Sequence, residues 1–421
     1  MKRGWHSPFP HPAPRLRLVH LSDLHLGFRQ YQRLTSRGIN QREWDVADAF
    51  RRAVDRTIAI APQVVVIAGD VFHNVRPTNA AILQTFRQLG RLRSLLPEAR
   101  VLMVAGNHDT PRTAETGGIL RLFAELGVHV ADAKSERWSF PELELSVLAV
   151  PDVPAERPAL VPDPDAKWNV LLLHGEIEGV IPTAAAMSDR ASMEISREEL
   201  GAARWNYVAL GHYHVYRQVE PNAYYAGSIE YTSANPWGEL HEEREARIPG
   251  KGLIEHDLAT GEHRFHHLPG ARRLIDLPVI TARGMSAADL DMAIATAVGH
   301  AQGGIDEQIV RLVVRDVPRH IARELDHRQL REYKRRALHF QLDTRRPEVV
   351  RLQASGSPVR RPSLLETVQE KLRARIISSD IDRDALVALG VHYLREADAI
   401  GAAAPSSDGA LAPLPSGGDD E

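Results

Sequence analysis

The stretch VLMVAGNHDT, residues 101–110, decides how the rest of this 421-residue chain is read. An apolar run leads straight into Gly106, and Asn107, His108 and Asp109 follow without a spacer. Gly-Asn-His-Asp is good turn chemistry, so one reading is simply that a strand ends here. The other is that an amide oxygen, an imidazole and a carboxylate have been placed on the lip of a buried strand, where they can hold a metal or move a proton. The neighbouring strands choose between the two.

Working outward, short apolar runs alternate with helical periodicity from residue 16 to about 215. RLVHLSD reads as a strand and QREWDVADAFRRAVDRTIAI as an amphipathic helix. QVVVIAGD is the next strand, and Pro77-Thr78 opens a second helix over TNAAILQTFRQLGRLRSLL. VLMVAGNHD repeats the form with a helix at GGILRLFAELG behind it, and LELSVLAVP, WNVLLLHG and NYVALGHYH continue it. This is an α/β pattern whose apolar strands finish at polar loops. VYRQVE, AYYAGS, GLIEHDL and RFHHLPG then read as short strands forming an antiparallel edge of the same domain.

The strand ends agree with one another. The first closes on SDLHLG, with Asp23 and His25 at i, i+2 and so on one face of extended chain. The second closes on AGDVFHN with Asp70 and His73, the third on AGNHD with Asn107, His108 and Asp109. The fourth is LLLHGE with His174, and the fifth ALGHYH with His212 and His214, again at i, i+2. In open α/β sheets, ligand sites form outside the carboxyl ends of the strands. A lone D-x-H means little, but a turn-only explanation must account for all five at the same place. Imidazole and carboxylate donors without thiolate suit Mn²⁺, Fe²⁺ or Zn²⁺. An aspartate between two histidine-rich half-sites is a natural bridge for a two-metal centre, which lowers the pKa of a bound water and clamps the oxygens of an in-line displacement.

SDLH, AGD, AGNHD, HG and GHYH, in this order, resemble the five signature blocks of the calcineurin-like metallophosphoesterases, over about residues 15–215. The resemblance implies a β-sandwich flanked by helices. It implies Asp23, His25, Asp70 and His214 around one ion and Asp70, Asn107, His174 and His212 around the other. His108 becomes the proton-transferring histidine, with Asp109 orienting its ring. HLSDLHLG and AGDVFHNVRPT are similar, more narrowly, to the SbcD-type nuclease subunit of the bacterial double-strand-break repair complex (SbcC–SbcD). His73, Pro77 and Thr78 match that group's G-D-x-F-H-x-x-x-P-[ST] pattern, which makes His73 a second active-site histidine. The likeness implies a DNA exonuclease using two divalent ions, foremost Mn²⁺ with Fe²⁺, Zn²⁺ or Mg²⁺ as alternatives. It also implies an SbcC-like ATPase partner and leaves room for a homodimer. A phosphoesterase for nucleotides or other small esters, and an inert DNA-binding scaffold, are the competing readings.

The remaining chain sorts by composition. Residues 1–14 read as a flexible arm without the apolar run of a signal peptide, and 15–270 as the phosphoesterase domain. A small α+β capping domain is expected over 271–352, a linker and two amphipathic helices for partner binding over 353–400, and a disordered tail over 401–421. Arg331, Lys334, Arg335 and Arg336 cluster on one expected helix that could follow a phosphate backbone, the plain alternative being a solvated face. In 227–239, Tyr231 and Trp237 are candidates to stack on a base. His263, His266 and His267 are read as an exposed edge strand without metal. The net charge of −3 argues against a globally basic nucleic-acid coat, and the absence of cysteine removes disulfides, thiolate zinc sites and a cysteine nucleophile. No membrane span is expected, and a reducing cytoplasm fits the composition. With no phosphate-cradling glycine loop of the G-x-x-x-x-G-K-[ST] form, any ATP dependence would come from a partner.

Overall fold

The computed structural model describes residues 15–110, 118–153, 157–181, 193–347, 364–374 and 382–403. The arm expected over 1–14, the linker over 353–363 and the tail beyond 403 lie outside the described residues. The chain divides into two compact units, Met1–Glu348 and Val349–Glu421.

The first unit begins with β1 (Arg17–Leu21), then helix α1 (Gln41–Ile60), β2 (Val64–Ala68), helix α2 (Asn79–Leu95), β3 (Arg100–Val104) and β4 (His129–Ala131). The Asn40 side chain caps α1 by accepting from the Arg42 and Glu43 amides, and Thr78 caps α2 by accepting from Ala81. Thr78 thus has a structural role in the pattern that singled it out. β2, VVVIA, is buried at every position, as an unbroken apolar strand covered on both faces must be. The segment GGILRLFAELG forms a 3₁₀ helix, Ile119–Leu126, instead of the expected α-helix. Its eight residues, bounded by Gly118 and Gly127, are too few for a stable α-helix on their own.

β5 (Glu136–Phe140), β6 (Leu145–Val150) and β7 (Trp168–His174) start a second sheet. β8 (Glu176–Ile177) and β9 (Glu194–Ile195) form a separate ribbon, and β10 (Tyr207–Gly211), β11 (Arg217–Glu220) and β12 (Ala223–Tyr225) complete the second sheet in the order β11-β12-β10-β7-β6-β5. β13 (Gly252–Asp257) and β14 (His263–His267) return to the first, ordered β14-β13-β1-β2-β3-β4. The four late strands expected as a single edge therefore divide, two to each sheet. Both β10 and β1 would otherwise leave backbone groups unpaired; β12 joins β10 in parallel and β13 joins β1 antiparallel.

Strand alternation sorts the core into layers. Val64, Val66, Leu102 and Val104 meet Val147, Val170, Leu172 and Ala209 between the two sheets. Val65, Ile67, Val101 and Met103 face the other way, against Phe50, Val54 and Leu89 of α1 and α2. This is the helix-flanked sandwich.

Residues 274–344 build a third sheet of β15 (Leu274–Asp276), β16 (Ile280–Thr281), β17 (Ile309–Arg315) and β18 (His339–Thr344), with β17 parallel to each of the others. Its core joins Leu312, Val314 and Phe340 to Leu290 and Ile294 of the helix Ala287–Gly299 and Tyr333 of the helix His327–Arg336. The whole set lies within the first compact unit. In the second unit, the helices Leu364–Ala374 and Arg383–Ala403 pack at Gly390, where a Cβ would stand 2.7 Å from Leu372 Cδ1. The latter helix runs to Ala403, three residues into the segment expected as a disordered tail. No helix among the described residues is long and apolar enough to cross a membrane.

Candidate metal centre

The carboxyl ends of β1, β2, β3, β7 and β10 converge, and the polar residues that follow them come together. His174 Nε2 stands 3.1 Å from Asn107 Oδ1 and 3.6 Å from Asp70 Oδ2. His212 Nδ1 is 3.3 Å from the same Asn107 oxygen. On the other side, His25 Nε2 is 3.0 Å from His214 Nε2 and 3.7 Å from Asp70 Oδ2. Ligand-capable atoms fall within 4.8 Å of one another in three groups: Asp23, His25 and His214; Asp70, His174 and His212; and His25, His73 and His108. Asp70 Oδ2 lies between the first two groups, nearly equidistant from a histidine of each.

The backbone is bent to make this possible. Asp23, His25, Asp70 and His212 have φ of 51°, 46°, 49° and 107°, four of the ten non-glycine residues at positive φ among the described residues. Such conformations cost on the order of 1–3 kcal/mol each and persist where the surroundings over-determine them. Glycine clears the space. A Cβ on Gly106 would sit 2.1 Å from Asp70 Oδ1, and one on Gly211 only 1.7 Å from the Ala68 carbonyl oxygen. Gly106 therefore admits a carboxylate more than it eases a turn.

A family model described as calcineurin-like phosphoesterase matches residues 16–222. These residues are a calcineurin-like phosphoesterase domain. Proteins of this kind use a dimetal site. The chain is 26% identical over 266 residues to the DNA double-strand break repair protein Mre11 of Methanocaldococcus jannaschii, covering 58% of this chain and 63% of that one. It is 29% identical over 210 residues to Mre11 of Sulfurisphaera tokodaii, covering 48% and 50%. With Mre11 of Methanopyrus kandleri it shares 25% over 282 residues, 62% and 58% of the two chains. The matched part thus spans between half and two thirds of these relatives.

The donor set of the phosphoesterase domain fits a pair of divalent ions. Metal ligation needs unprotonated imidazole and ionised carboxylate. Burial, followed by the neighbouring His214, His108, His73 and His174 rings, holds His25 well below the usual histidine range. Burial is also the main cause lowering His174. Asp23 and Asp70 are 0% and 1% exposed, and burial raises Asp23 above the usual carboxylate range. Two cations would offset the cost of burying those charges. Burial likewise works to lower His212 and His214, but Glu176, Asp70 and Asp23 around His212, and Glu239 and Asp23 around His214, together outweigh it and both rings are raised.

The residues expected to handle protons are placed differently from expectation in one respect. His73 and His108 stack with centroids 5.2 Å apart, and His73 Nδ1 is 3.4 Å from His25 Nδ1. His108 Nδ1, however, is 2.8 Å from the His73 carbonyl oxygen. Asp109 does not orient that ring. Its two oxygens accept from the backbone amides of Val71, Phe72 and Gly106 at 2.9–3.1 Å, tying the second strand's loop to the third's. A carboxylate with three amide donors around it acts as a loop clamp.

Four charged residues of the site escaped the sequence reading. Glu176 Oε1 is 3.1 Å from His212 Nε2, and Glu239 Oε1 is 3.4 Å from His214 Nδ1. Lys251 pairs with both Glu239 and Glu243. Glu176 follows His174 in the HGE block and could have been noticed there. Glu239 lies in the 227–239 stretch, whose candidate stacking aromatics are structural. Trp237 is 8% exposed, packed with Leu274, Ile309 and Leu338 beneath the Arg311 guanidinium. Tyr231 donates its hydroxyl to Glu243 and lies under Lys251. Neither is presented to stack on a base.

On the helix His327–Arg336 the four basic residues singled out as a cluster divide. Arg335 forms a fork with Glu332, and Arg336 one with Asp306 at 2.8 and 2.9 Å. Arg331 and Lys334 are exposed and carry no partner among the described residues.

Proposed function

We propose that this chain hydrolyses DNA phosphodiester bonds as a dimetal exonuclease of double-strand-break repair, acting in the cytoplasm with an ATPase partner of the SbcC type. The observation that carries the reading is Asp70 Oδ2, a single carboxylate oxygen 3.7 Å from His25 Nε2 and 3.6 Å from His174 Nε2. The repair context and the DNA substrate draw on the relatives named as double-strand break repair proteins and on the HLSDLHLG and AGDVFHNVRPT blocks.

Asp23, His25, Asp70 and His214 would hold one ion, and Asp70, Asn107, His174 and His212 the other, with Mn²⁺ suited to this mixture of imidazole, carboxylate and amide oxygen. Two such ions supply Lewis acidity at the phosphoryl oxygens and activate water for in-line attack. His108 and His73 face the same space. His108 anchors Nδ1 on the His73 carbonyl oxygen, so a proton moved to the leaving sugar oxygen moves at Nε2. The stacked His73 ring fixes the plane of His108 and borders the phosphate. Asp109 keeps the two loops in register.

The purified full chain, given a labelled linear DNA duplex with Mn²⁺, Mg²⁺ or chelator, tests the proposal. Mn²⁺-dependent shortening of the duplex is the expected result. Cleavage of bis-p-nitrophenyl phosphate with the duplex left intact would move the reading to a small-ester phosphoesterase. No hydrolysis of either, with metal bound, would favour an inert scaffold.

A further inference from the structure

An imidazole has two nitrogens, and only one can face a metal; something must hold the other. His174 turns Nδ1 to the Ala68 carbonyl oxygen at 2.8 Å, leaving Nε2 toward Asn107 and Asp70. His212 and His214, two residues apart, face carboxylates instead of backbone carbonyls, and they point opposite nitrogens inward. His212 offers Nδ1 to Asn107 while its Nε2 lies 3.1 Å from Glu176 Oε1. His214 offers Nε2 to the His25 side while its Nδ1 lies 3.4 Å from Glu239 Oε1. These last two atoms are buried and neither has a well-aligned hydrogen-bond partner, so each is the other's available mate. Glu176 comes from the fourth strand-end block itself, whereas Glu239 comes from a helix outside all five.

Glu239 is itself fixed. Lys251, 3% exposed, pairs with Glu239, stands 3.0 Å from Glu243 and donates to the His214 carbonyl oxygen at 2.8 Å. Two carboxylates against one ammonium leave a surplus negative charge in a buried place. Such a charge is costly unless paired. The side chain it faces is His214.

We propose that Glu176 and Glu239 are positioning residues, one for each half of the centre, which fix His212 to present Nδ1 and His214 to present Nε2. The inference rests on the dimetal reading above. A hydrogen-bonded partner of this kind sets a ligand's tautomer and orientation, and its loss costs roughly 10–100-fold in metal affinity.

Mn²⁺ titration of the full chain by calorimetry tests this, with melting temperatures taken in chelator for each variant. Wild type takes up two ions. Glu239→Ala and Glu176→Ala each weaken one of the two by roughly 10–100-fold and leave the other unchanged, and at intermediate Mn²⁺ an uncoupled mononuclear paramagnetic signal appears. Glu239→Gln, which keeps an acceptor oxygen, recovers most of the lost affinity. Variants that bind both ions as wild type does would overturn the inference. So would equal weakening of both ions alongside a lowered metal-free melting temperature, since that marks a purely structural role. Wild type that fails to bind two ions would instead bring down the dimetal reading, and this inference with it.

Discussion

Two sets of buried and half-buried imidazoles occupy the same sandwich on different terms. His25, His73, His108, His174, His212 and His214 stand at or beyond strand ends, where their nitrogens meet carboxylates, an amide oxygen and backbone carbonyls. His20, His256 and His263 sit within strands β1, β13 and β14 and meet rings. His20 Nδ1 is 3.1 Å from the Tyr207 hydroxyl, Tyr224 stacks on His263 with centroids 3.9 Å apart, and Tyr207 lies 4.6 Å from His256. Burial pushes His20 down to about 3 and His256 and His263 down to about 4. One set is arranged to coordinate, the other to fill space between sheets as neutral rings. Histidine content alone does not separate them; position relative to the strand end does.

The sharpest way to break the comparison is to remove the oxygen that the coordinating set shares. Asp70→Ala should empty both half-sites, read by metal analysis after dialysis, and abolish hydrolysis. His108→Ala should keep both ions while turnover drops by roughly 10²–10⁴-fold. Full metal content in the Asp70 variant would undo the bridging role, and metal loss in the His108 variant would make that ring a ligand.

The second set gives a prediction with a definite sign. An unfolded histidine takes a proton near 6.5, whereas folded His20 does so only near 3. Between those values the unfolded chain binds more protons, so stability falls as pH drops from about 6.5 and is fully present above it. His256 and His263 act in the same direction from about 4 upward. Denaturant unfolding of metal-free protein between pH 7 and 4 should show a shallower loss of stability in His20→Gln than in wild type. Parallel profiles would mean that His20 does not carry the effect.

What the sequence made legible follows the same division. The strand-end residues were readable because chain topology fixes where a strand's carboxyl end goes, and an apolar run ending in Asp or His marks that place. That Asp70, His174 and His212 gather at one end of the sheets needed no knowledge of side-chain packing; their assignment to one ion came from the resemblance. Glu239 and Lys251 were not readable, since they reach His214 from a helix start and a strand edge whose placement no local pattern encodes. Asp109 differs for a related reason: the resemblance implied that it orients His108, but backbone amides of Val71 and Phe72 in another loop, with that of Gly106, hold its oxygens. The late strands were recognised as strands, while their division between two sheets depended on which edges remained open.

The same contrast between fixed topology and surface composition yields the smallest expected effect, on the helix His327–Arg336. Arg331, Lys334, Arg335 and Arg336 look alike in sequence, yet Arg335 and Arg336 already hold Glu332 and Asp306. Exposed pairs of that kind contribute little to stability, but they cost a phosphate contact its free charge. If this helix follows DNA, Arg331→Ala and Lys334→Ala should each weaken duplex binding and lower the slope of log affinity against log salt by about 1. Arg335→Ala and Arg336→Ala should change that slope by less, because each also releases a carboxylate that repels the backbone. Equal slopes across all four variants, measured by titration at several salt concentrations, would show that the pairs open on binding; unchanged slopes in all four would remove this helix from the DNA path.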